Sequence, residues 1–364
     1  MAASRTVPPP IVDRDSRTPG ELPRETVDAV RHARGDGWPA AALDVLRDAD
    51  FLRWGIPRSY GGIEVTPVQR LRAYIDLADA DLVACFVLTQ RDSAISRLIG
   101  ADGEPVRKRW LPPLASGEAF ATVGISHLTT SRQHTRPAVA AERTAGGFRL
   151  SGTCPWATSA SHADLLVTGG QLDDGTQLLA AVDVARQRDR IRPGEPMRLH
   201  ALGASETGTI ELADVEVRPD EVIAGPVAAV MSQGSGGGAG SLTTSALAVG
   251  LSQRAIRMLA DESSGRDELG ESSARLETEL AELACDLLDT AGGLASISSE
   301  SLRSRANSLA LRSTQALLTA TKGAGFIVGH PAELAIREAM FFLVWSCPRP
   351  VAEAAMAEFA CLDG

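Results

Sequence analysis

The chain has 364 residues, of which 44% are hydrophobic and 23% are charged, a balance that is ordinary for a folded globular protein with an ample core. Its formal net charge of -10 argues against a protein that binds nucleic acid or an anionic membrane, since both need a basic surface. The N-terminus is polar and proline-rich, unlike a signal peptide, and no run reaches the ~18 apolar residues of a membrane-spanning helix. We therefore expect a cytoplasmic protein that binds neither nucleic acid nor a membrane.

Five cysteines are scattered along the chain. Their number is odd, no two have the spacing of a CxxC pair, and no histidine is spaced from them as in a zinc site. Free thiols in a reducing compartment are the simplest interpretation, and we expect no metal site.

Helical periodicity governs the first part of the chain. Segments such as PAAALDVLRDADFL and VQRLRAYIDLADADLVACFVLTQRDSAISRLIG place apolar residues three or four positions apart, as on one face of a helix. A break falls at Tyr60-Gly61-Gly62. These features predict an α-helical domain over residues 24–119, preceded by a disordered or extended arm over residues 1–23.

The period changes to two in the middle of the chain. FATVGIS, AVAAERTAGGFRLSG, DLLVTGGQLDDGTQLLAAVDV and GTIELADVEV alternate as strands do, with turn residues at 145–147 and 173–175. This pattern predicts a small antiparallel β-domain over residues 120–225.

A glycine- and serine-rich stretch separates the middle of the chain from its last part. Residues 226–241, which include SQGSGGGAGS, are predicted to form a loop, and they lack the spacing and the lysine of a phosphate-binding loop. Helical periodicity then returns in four segments, which predict an antiparallel four-helix bundle over residues 242–364. The predicted fold class is α+β, with a helical domain, a β-domain and a bundle in that order.

Four stretches and this order of domains resemble the acyl-CoA dehydrogenase family. IPRSYGG at 56–62 resembles the family's IPEEYGG turn, and RKRWLPPLASGE at 107–118 resembles its K-x-R-Y-L-P-x-L-A-x-G signature. FRLSGTCPWATSASHADLLV at 148–167 resembles Y-x-L-N-G-x-K-x-W-I-T-N-G-x-x-A-D. LGASETGTIELADVEVRPDEVI at 202–223 resembles L-G-x-x-x-S-x-T-x-x-I-x-F-x-D-V-x-V-P-x-x-x-V-I. The resemblance implies the fold predicted above and an oxidoreductase that uses FAD.

The resemblance also implies flavin contacts at the end of a β-strand. In relatives the corresponding tryptophan packs against the isoalloxazine and the threonine bonds the flavin near N5, so Trp156 and Thr158 are the expected contacts. A flat apolar wall and a hydroxyl partner suit a ring that must be held for hydride transfer. The alternative is a core tryptophan beside a turn.

A second contact region is expected at VGISHLTTSRQHT. Ser126 stands where relatives have a threonine that binds the pyrimidine end of the flavin, and both residues offer a hydroxyl. His127 stands where glutamate is usual. Ser131 and Arg132 are candidates to meet the pyrophosphate, the arginine through charge-assisted hydrogen bonds.

The resemblance places the adenine end of FAD against the bundle of a neighbouring subunit. Arg266 and Leu269 stand in the R-x-x-F-G position, with leucine in place of the aromatic residue, and Glu277 replaces a glutamine, which brings a carboxylate toward the expected phosphates. Gly323 and Gly325 lie in a stretch similar to Q-x-x-G-G-x-G-Y, where backbone amides approach an anion. The alternative for this glycine pair is a helix C-cap.

The usual catalytic carboxylate is missing from both positions that the family uses. Dehydrogenation of an acyl thioester needs a carboxylate to remove the α-proton. Ser346 stands at the usual glutamate position, and Gly240 and Ser241 stand at the rarer one. A serine hydroxyl is too weak a base to replace a carboxylate unaided.

Other residues are candidates for the missing role. His127 is a side chain of the type that titrates near neutral pH, and Arg91 and Asp92 lie where relatives line the acyl pocket. For each of them a surface or core role is the alternative.

Three functions therefore remain open. We favour desaturation of an acyl group on CoA or a carrier protein, with a non-standard base. A flavin-dependent monooxygenase or oxidase on the same fold is the second possibility, to which Ser126, His127 and Ser346 are suited. A non-catalytic paralogue is the third. The resemblance also implies a homodimer or homotetramer built through the bundle, and an electron-transfer flavoprotein or a flavin reductase as redox partner.

Overall fold

The computed structural model describes residues 21–129, 137–232, 242–264 and 266–361. The first part of the chain forms the helices α1 (Arg24–Ala33), α2 (Ala40–Asp48), α3 (Pro67–Ala80), α4 (Leu82–Ile99) and α5 (Glu104–Ser116). The strands are β1 (Ala121–Gly124), β2 (Val139–Thr144), β3 (Gly147–Ala157), β4 (Leu165–Gln171), β5 (Gln177–Asp183), β6 (Ile191–Pro193), β7 (Gly208–Val217) and β8 (Val222–Val227). A short helix, α6 (Ser126–Thr129), follows β1, and the last part of the chain forms α7 (Leu242–Ser263), α8 (Asp267–Ala291), α9 (Ser299–Thr321), α10 (Pro331–Phe341) and α11 (Arg349–Phe359).

Side-chain caps set the start of the two central helices of the first domain. Thr66 and Gln69 form a reciprocal capping box at the start of α3, with Pro67 in the first turn. The carboxylate of Asp81 accepts hydrogen bonds from the backbone amides of Val83 and Ala84 and so begins α4. The single residue between α3 and α4 therefore ends one helix and caps the next.

The strands form one mixed sheet in the order β6-β7-β3-β2-β4-β5-β8, with β1 beside β4. Most neighbours are antiparallel, whereas β1 and β2 pair with β4 in parallel. Alternate residues of β4 face two different cores. Leu165 and Val167 pack with residues of α4 and α5, and Leu166 packs with the other side of the sheet.

The long helix α7 lies against the first domain. A Cβ atom added to Gly250 would lie 2.3 Å from the backbone oxygen of Ile75, so α3 and α7 approach at a distance that only glycine allows there. One hydrophobic core extends through both parts of the chain, and it contains Leu77 of α3 and Leu251 of α7. The helical domain and the C-terminal helices thus share a core.

The predicted order of a helical domain, a β-domain and C-terminal helices is confirmed. The periodicity did not predict the short strands β6 and β8, nor α11, whose start at Arg349 lies between two prolines that suggest a break. The strand predicted over FATVGIS ends at Gly124, and Ser126 begins a helix instead.

Two further observations concern membranes and metals. Among the described residues, none of the helices has the length and apolar character needed to cross a bilayer. Within the same residues there is no cluster of three or more acidic, histidine or cysteine side chains arranged to hold a metal ion. All five cysteines are free.

Candidate functional site

An exposed tryptophan marks the end of β3. The Trp156 side chain is 52% exposed, whereas Ala157 and Thr158, which follow it, are buried. A large aromatic residue on a sheet is ordinarily covered, because its burial contributes more than that of most side chains. The end of β3 therefore presents a flat apolar surface beside a buried hydroxyl.

The hydroxyl of Thr158 belongs to a buried network. Its Oγ1 lies 3.0 Å from Oγ1 of Thr207, which in turn lies 2.9 Å from Oγ of Ser205. The Thr122 hydroxyl donates to the backbone oxygen of Thr158 at 2.6 Å. Strand β1 and the segment before β7 thus fix Thr158 from two sides.

Strained backbone surrounds this network. Ser159, Leu202 and Glu206 have φ angles of 60°, 60° and 48°, in the left-handed region that residues with side chains rarely adopt. The backbone amide of Ser159 donates to the backbone oxygens of Ser205 and Glu206 at 3.1 and 3.2 Å. Such strain persists only where surrounding contacts impose it, and it concentrates at functional sites.

The predicted second contact region lies beside β3. Helix α6, which begins at Ser126, packs against β3 and β4. Nε2 of His127 lies 2.9 Å from the backbone oxygen of Gly169. Because a carbonyl oxygen accepts, we assign the ring proton to Nε2, which leaves Nδ1 as an acceptor. Ser131 and Arg132, also predicted for this region, lie outside the described residues, as do Gly240 and Ser241.

Burial controls the charge of His127. It lowers the pKa of the imidazole, although the hydrogen bond to Gly169 acts in the opposite direction. Nδ1 is buried and has no hydrogen-bond partner within the described ranges. The lowered pKa favours the neutral imidazole, and Nδ1 is left as an acceptor without a partner in those ranges.

Arg91 is tied to the backbone of two neighbouring segments. Its Nη2 donates to the backbone oxygens of Leu52 and Leu114 at 2.7 and 2.6 Å, and its Nη1 donates to the carboxylate of Asp92 at 2.9 Å. Asp92 also accepts a hydrogen bond from the Tyr74 hydroxyl. Burial lowers the pKa of Arg91, and the carboxylate of Asp92 counteracts this effect. Both charged side chains therefore link segments of the first domain to each other.

A cavity of about 230 Å³ lies next to Arg91. Its wall includes Trp38, Phe120 and His162. The Trp38 and His162 rings stack with their centroids 3.9 Å apart. Nε2 of His162 also forms a hydrogen bond with the carboxylate of Glu206. The cavity connects the first domain to the loop that follows Thr158.

Ser346 lies half-buried in the turn between α10 and α11, with a left-handed φ of 45°. The adjacent Trp345 ring stacks on Phe341 and meets the edge of Phe86 in α4, with centroid distances of 4.9 Å in both cases. The turn therefore rests on the helix that carries Arg91 and Asp92. No acidic side chain occurs in FLVWSCP, the segment 342–348 that forms it.

The buried guanidinium of Arg303 forms hydrogen bonds with the backbone of this turn. Nη2 of Arg303 donates to the backbone oxygens of Phe342 and Trp345 at 3.2 and 3.0 Å, and Asn307 also donates to that of Phe342. Burial lowers the pKa of Arg303 to about 10, and within the described ranges no carboxylate pairs with it. The carbonyl end of α10 supplies the compensating negative potential.

The residues predicted for the adenine end fall into two groups. Arg266 precedes α8 and donates to the backbone oxygen of Ala320 at 2.9 Å, which places it beside the loop that contains Gly323 and Gly325. A Cβ on Gly325 would lie 1.9 Å from the Thr321 hydroxyl, so that position requires glycine.

Leu269 and Glu277 extend from this region along α8. Leu269, in the first turn, packs on the core. Glu277 lies ten residues beyond Asp267, about 15 Å along the helix, and is exposed. The structure thus places Arg266 beside the glycine loop, with Leu269 one turn further along the chain, and it does not bring Glu277 to that loop.

Sequence reasoning missed Ser205 and Thr207. They are the serine and threonine of LGASETG, a stretch that was recognised only as a family resemblance. Two hydroxyl residues with one residue between them, at the start of a strand, were the available signal.

Comparisons with known proteins agree with this architecture. Residues 21–118 match the acyl-CoA dehydrogenase, N-terminal domain family. The chain is 25% identical to dibenzothiophene monooxygenase of Rhodococcus erythropolis over 217 residues, which are 56% of this chain and 49% of that protein. The match thus spans about half the length of this curated relative.

Solved structures resemble nearly the whole chain. A glutaryl-coenzyme A dehydrogenase in complex with glutaryl-CoA has a TM-score of 0.78 at 16% identity, with 93% of this chain and 94% of that chain covered. Butyryl-CoA dehydrogenase of Megasphaera elsdenii has a TM-score of 0.72 at 15% identity with the same coverage. Dibenzothiophene monooxygenase of Paenibacillus sp. A11-2 has a TM-score of 0.70 at 17% identity, also over 93% and 94%. These similarities show that the same fold is present.

Proposed function

We propose that this chain, whose first domain belongs to the acyl-CoA dehydrogenase N-terminal domain family and which has the acyl-CoA dehydrogenase fold, is a flavin-dependent oxidoreductase. The observation that carries the proposal is the exposed Trp156 next to the fixed hydroxyl of Thr158. An indole face and a hydroxyl side by side fit one edge of an isoalloxazine ring. When bound, the flavin supplies the two-electron redox chemistry.

The residues that would hold the flavin lie in two regions, the end of the sheet with α6 and the start of α8 with the glycine loop. Trp156, Thr158 and Ser126 would contact the ring system from the sheet and α6. Arg266 and the backbone of the loop at Gly325 would hold the adenine end, which favours FAD over FMN. In the family's arrangement those last two residues serve a neighbouring subunit.

For the reaction, we propose dehydrogenation of the CH-CH group of an acyl thioester carried by CoA or a carrier protein. The support is the fold shared with acyl-CoA dehydrogenases. The α-proton needs an acceptor. The candidate is Nδ1 of His127, which carries no proton in the assigned tautomer and belongs to a side chain whose pKa is lowered by burial. Asp92 is a weaker candidate, since Arg91 and Tyr74 already use its oxygens.

A flavin-dependent monooxygenase is the second candidate, and a specific observation favours it. The turn that holds Ser346 contains no carboxylate, and its serine hydroxyl supplies a hydrogen-bond donor in place of a base. The curated relative from Rhodococcus is also a monooxygenase.

Flavin binding is the first test. Titration of the purified protein with FAD and with FMN, followed by flavin fluorescence, should show a complex. Trp156→Ala should weaken it about tenfold, because an aromatic contact contributes ~1 kcal/mol beyond the area it buries. Phe359→Ala removes another exposed aromatic ring and should leave the affinity unchanged. Failure of the wild-type protein to bind either flavin would leave only the non-catalytic paralogue.

The two reactions are separated by what reduces and reoxidises the flavin. Bleaching of the flavin absorbance by a saturated acyl-CoA without oxygen indicates a dehydrogenase. Oxygen uptake that requires a flavin reductase and yields a hydroxylated product indicates a monooxygenase. Ser346→Glu should create or increase acyl-CoA oxidation if this turn faces the substrate, and an unchanged rate with every thioester argues against that placement.

We also propose a cytoplasmic homodimer or homotetramer, with an electron-transfer flavoprotein or a flavin reductase as redox partner. Three consecutive apolar residues beside the glycine loop, Phe326, Ile327 and Val328, are 78%, 66% and 86% exposed, which supports burial in a subunit contact. Light scattering after gel filtration measures the mass of the assembly.

A further inference from the structure

Three buried hydroxyl groups form a row at the end of β3. Ser205 Oγ lies 2.9 Å from Thr207 Oγ1, and Thr207 Oγ1 lies 3.0 Å from Thr158 Oγ1. All three side chains are buried. The row leads from the interior of the protein to the hydroxyl that is expected to meet the flavin.

The row has a preferred direction. Each hydroxyl carries one hydrogen, so Ser205 donates to Thr207 and Thr207 to Thr158, or all donors reverse. A third order, in which Ser205 and Thr158 both donate to Thr207, leaves the buried Thr207 hydrogen without an acceptor among the described residues. The first order leaves the Thr158 hydrogen for a partner outside the row. The second leaves the Ser205 hydrogen without an acceptor, because Thr207 is the sole partner of the Ser205 hydroxyl within the described ranges. Burial of an unsatisfied donor is costly, so the first order is favoured.

We propose that Ser205 and Thr207 are positioning residues, which orient the Thr158 hydroxyl as a hydrogen-bond donor toward the flavin and so favour the oxidised flavin. This inference rests on the proposed function. N5 of an oxidised flavin accepts a hydrogen bond, whereas N5 of a reduced flavin carries a hydrogen and donates one. On reduction the Thr158 hydroxyl must turn its hydrogen away from N5, so a buried hydrogen loses its acceptor, and reversal of the row would instead take the acceptor from Ser205. The row lowers the midpoint potential of the bound flavin.

The test compares midpoint potentials of the flavin-bound protein, measured at equilibrium with a reference dye. Thr207→Val keeps the shape of the side chain and breaks the row. The ratio of oxidised to reduced flavin at a fixed potential should fall about tenfold, a shift of ~30 mV to more positive values for a two-electron couple. Thr207→Ser restores a hydroxyl and should return the potential to the wild-type value.

Two further variants keep the test decisive. Ser205→Ala removes the residue that sets the direction and should shift the potential in the same sense as Thr207→Val, which covers the case in which Thr207→Val fails to fold. Thr168→Val removes a buried hydroxyl that bonds the Gly124 backbone outside the row, and it should leave the potential unchanged.

The outcomes separate this inference from the proposed function. If the wild-type protein binds no flavin, both fail. If the flavin-bound Thr207→Val and Ser205→Ala proteins keep the wild-type potential, or shift no more than Thr168→Val, the proposed function stands and the role of the hydroxyl row is overturned.

Discussion

At the scale of single residues, the burial of His127 determines its charge. Because burial lowers the pKa in the folded protein, the unfolded chain binds a proton at a higher pH than the folded chain does. At a pH between the pKa of the unfolded state, about 6.5, and the lower pKa of the folded state, the unfolded state holds more protons. This residue therefore reduces the free energy of unfolding as the pH falls below about 6.5.

His127→Gln tests that dependence, since the amide of glutamine can still donate to Gly169 and does not titrate. Urea unfolding at about pH 7.5 and about pH 5.5 should show a smaller loss of stability in the variant than in the wild type, by at most ~1.4 kcal/mol per pH unit between those two pKa values. Equal losses in both proteins would show that the imidazole does not resist protonation.

The residue scale also shows the limit of sequence reasoning. The stretch 148–167 indicates Trp156 and Thr158 as contacts, because its residue types match the family pattern. No local pattern indicates that Arg91 donates to Leu52 and Leu114, which lie 39 and 23 positions away. Contacts at such separations depend on how helices pack, and a local pattern contains no information about that.

At the scale of secondary-structure elements, buried carboxylates join the first domain to the C-terminal helices. Glu338 of α10 is buried and accepts hydrogen bonds from Arg254 of α7 and from Arg34, which follows α1. Asp79 of α3 likewise accepts from Arg31 and from a second arginine of α7. Each carboxylate is thus shared by two arginines from different parts of the chain.

Glu338→Gln should destabilise the protein by about 3–5 kcal/mol, because it leaves the buried guanidinium of Arg254 without its counter-charge. Chemical denaturation at neutral pH measures the difference. Glu353→Gln, which breaks an exposed pair with Arg349, is the matched control and should cost less than about 1 kcal/mol. A similar small loss in both variants would show that the Glu338 pair contributes no more than a surface ion pair.

The pattern of the elements explains which of them sequence reasoning found. Long helices such as α7 and α9 repeat their apolar period many times, so they were predicted. Strand β6 has three residues and α11 begins among prolines, so the apolar residues of neither element form a recognisable period. The end of β1 was misplaced because a strand of four residues shows too few alternations to fix its limit.

At the scale of the whole molecule, the core does not follow the divisions of the sequence. Changes of composition and period separate the chain into helical, sheet and helical parts. The packing instead places α3 and α4 of the first domain in one core with α7 and α9, while α4 and α5 also cover a face of the sheet. Helix α4 therefore contributes to both cores, and it links the candidate flavin surface to the turn of Ser346.

This shared core predicts that the first domain cannot fold alone, even though residues 21–118 are recognisable as a family unit. Without α7, the face of α3 around Ala78 and the backbone that Gly250 approaches would be exposed to water. A fragment of residues 21–118 should show no cooperative thermal transition by circular dichroism and poor dispersion of its amide proton resonances, whereas the full chain should show both a transition and dispersion. A fragment that unfolds cooperatively would mean that the contacts within α1–α5 are sufficient, and that the first domain docks on α7 as a preformed unit.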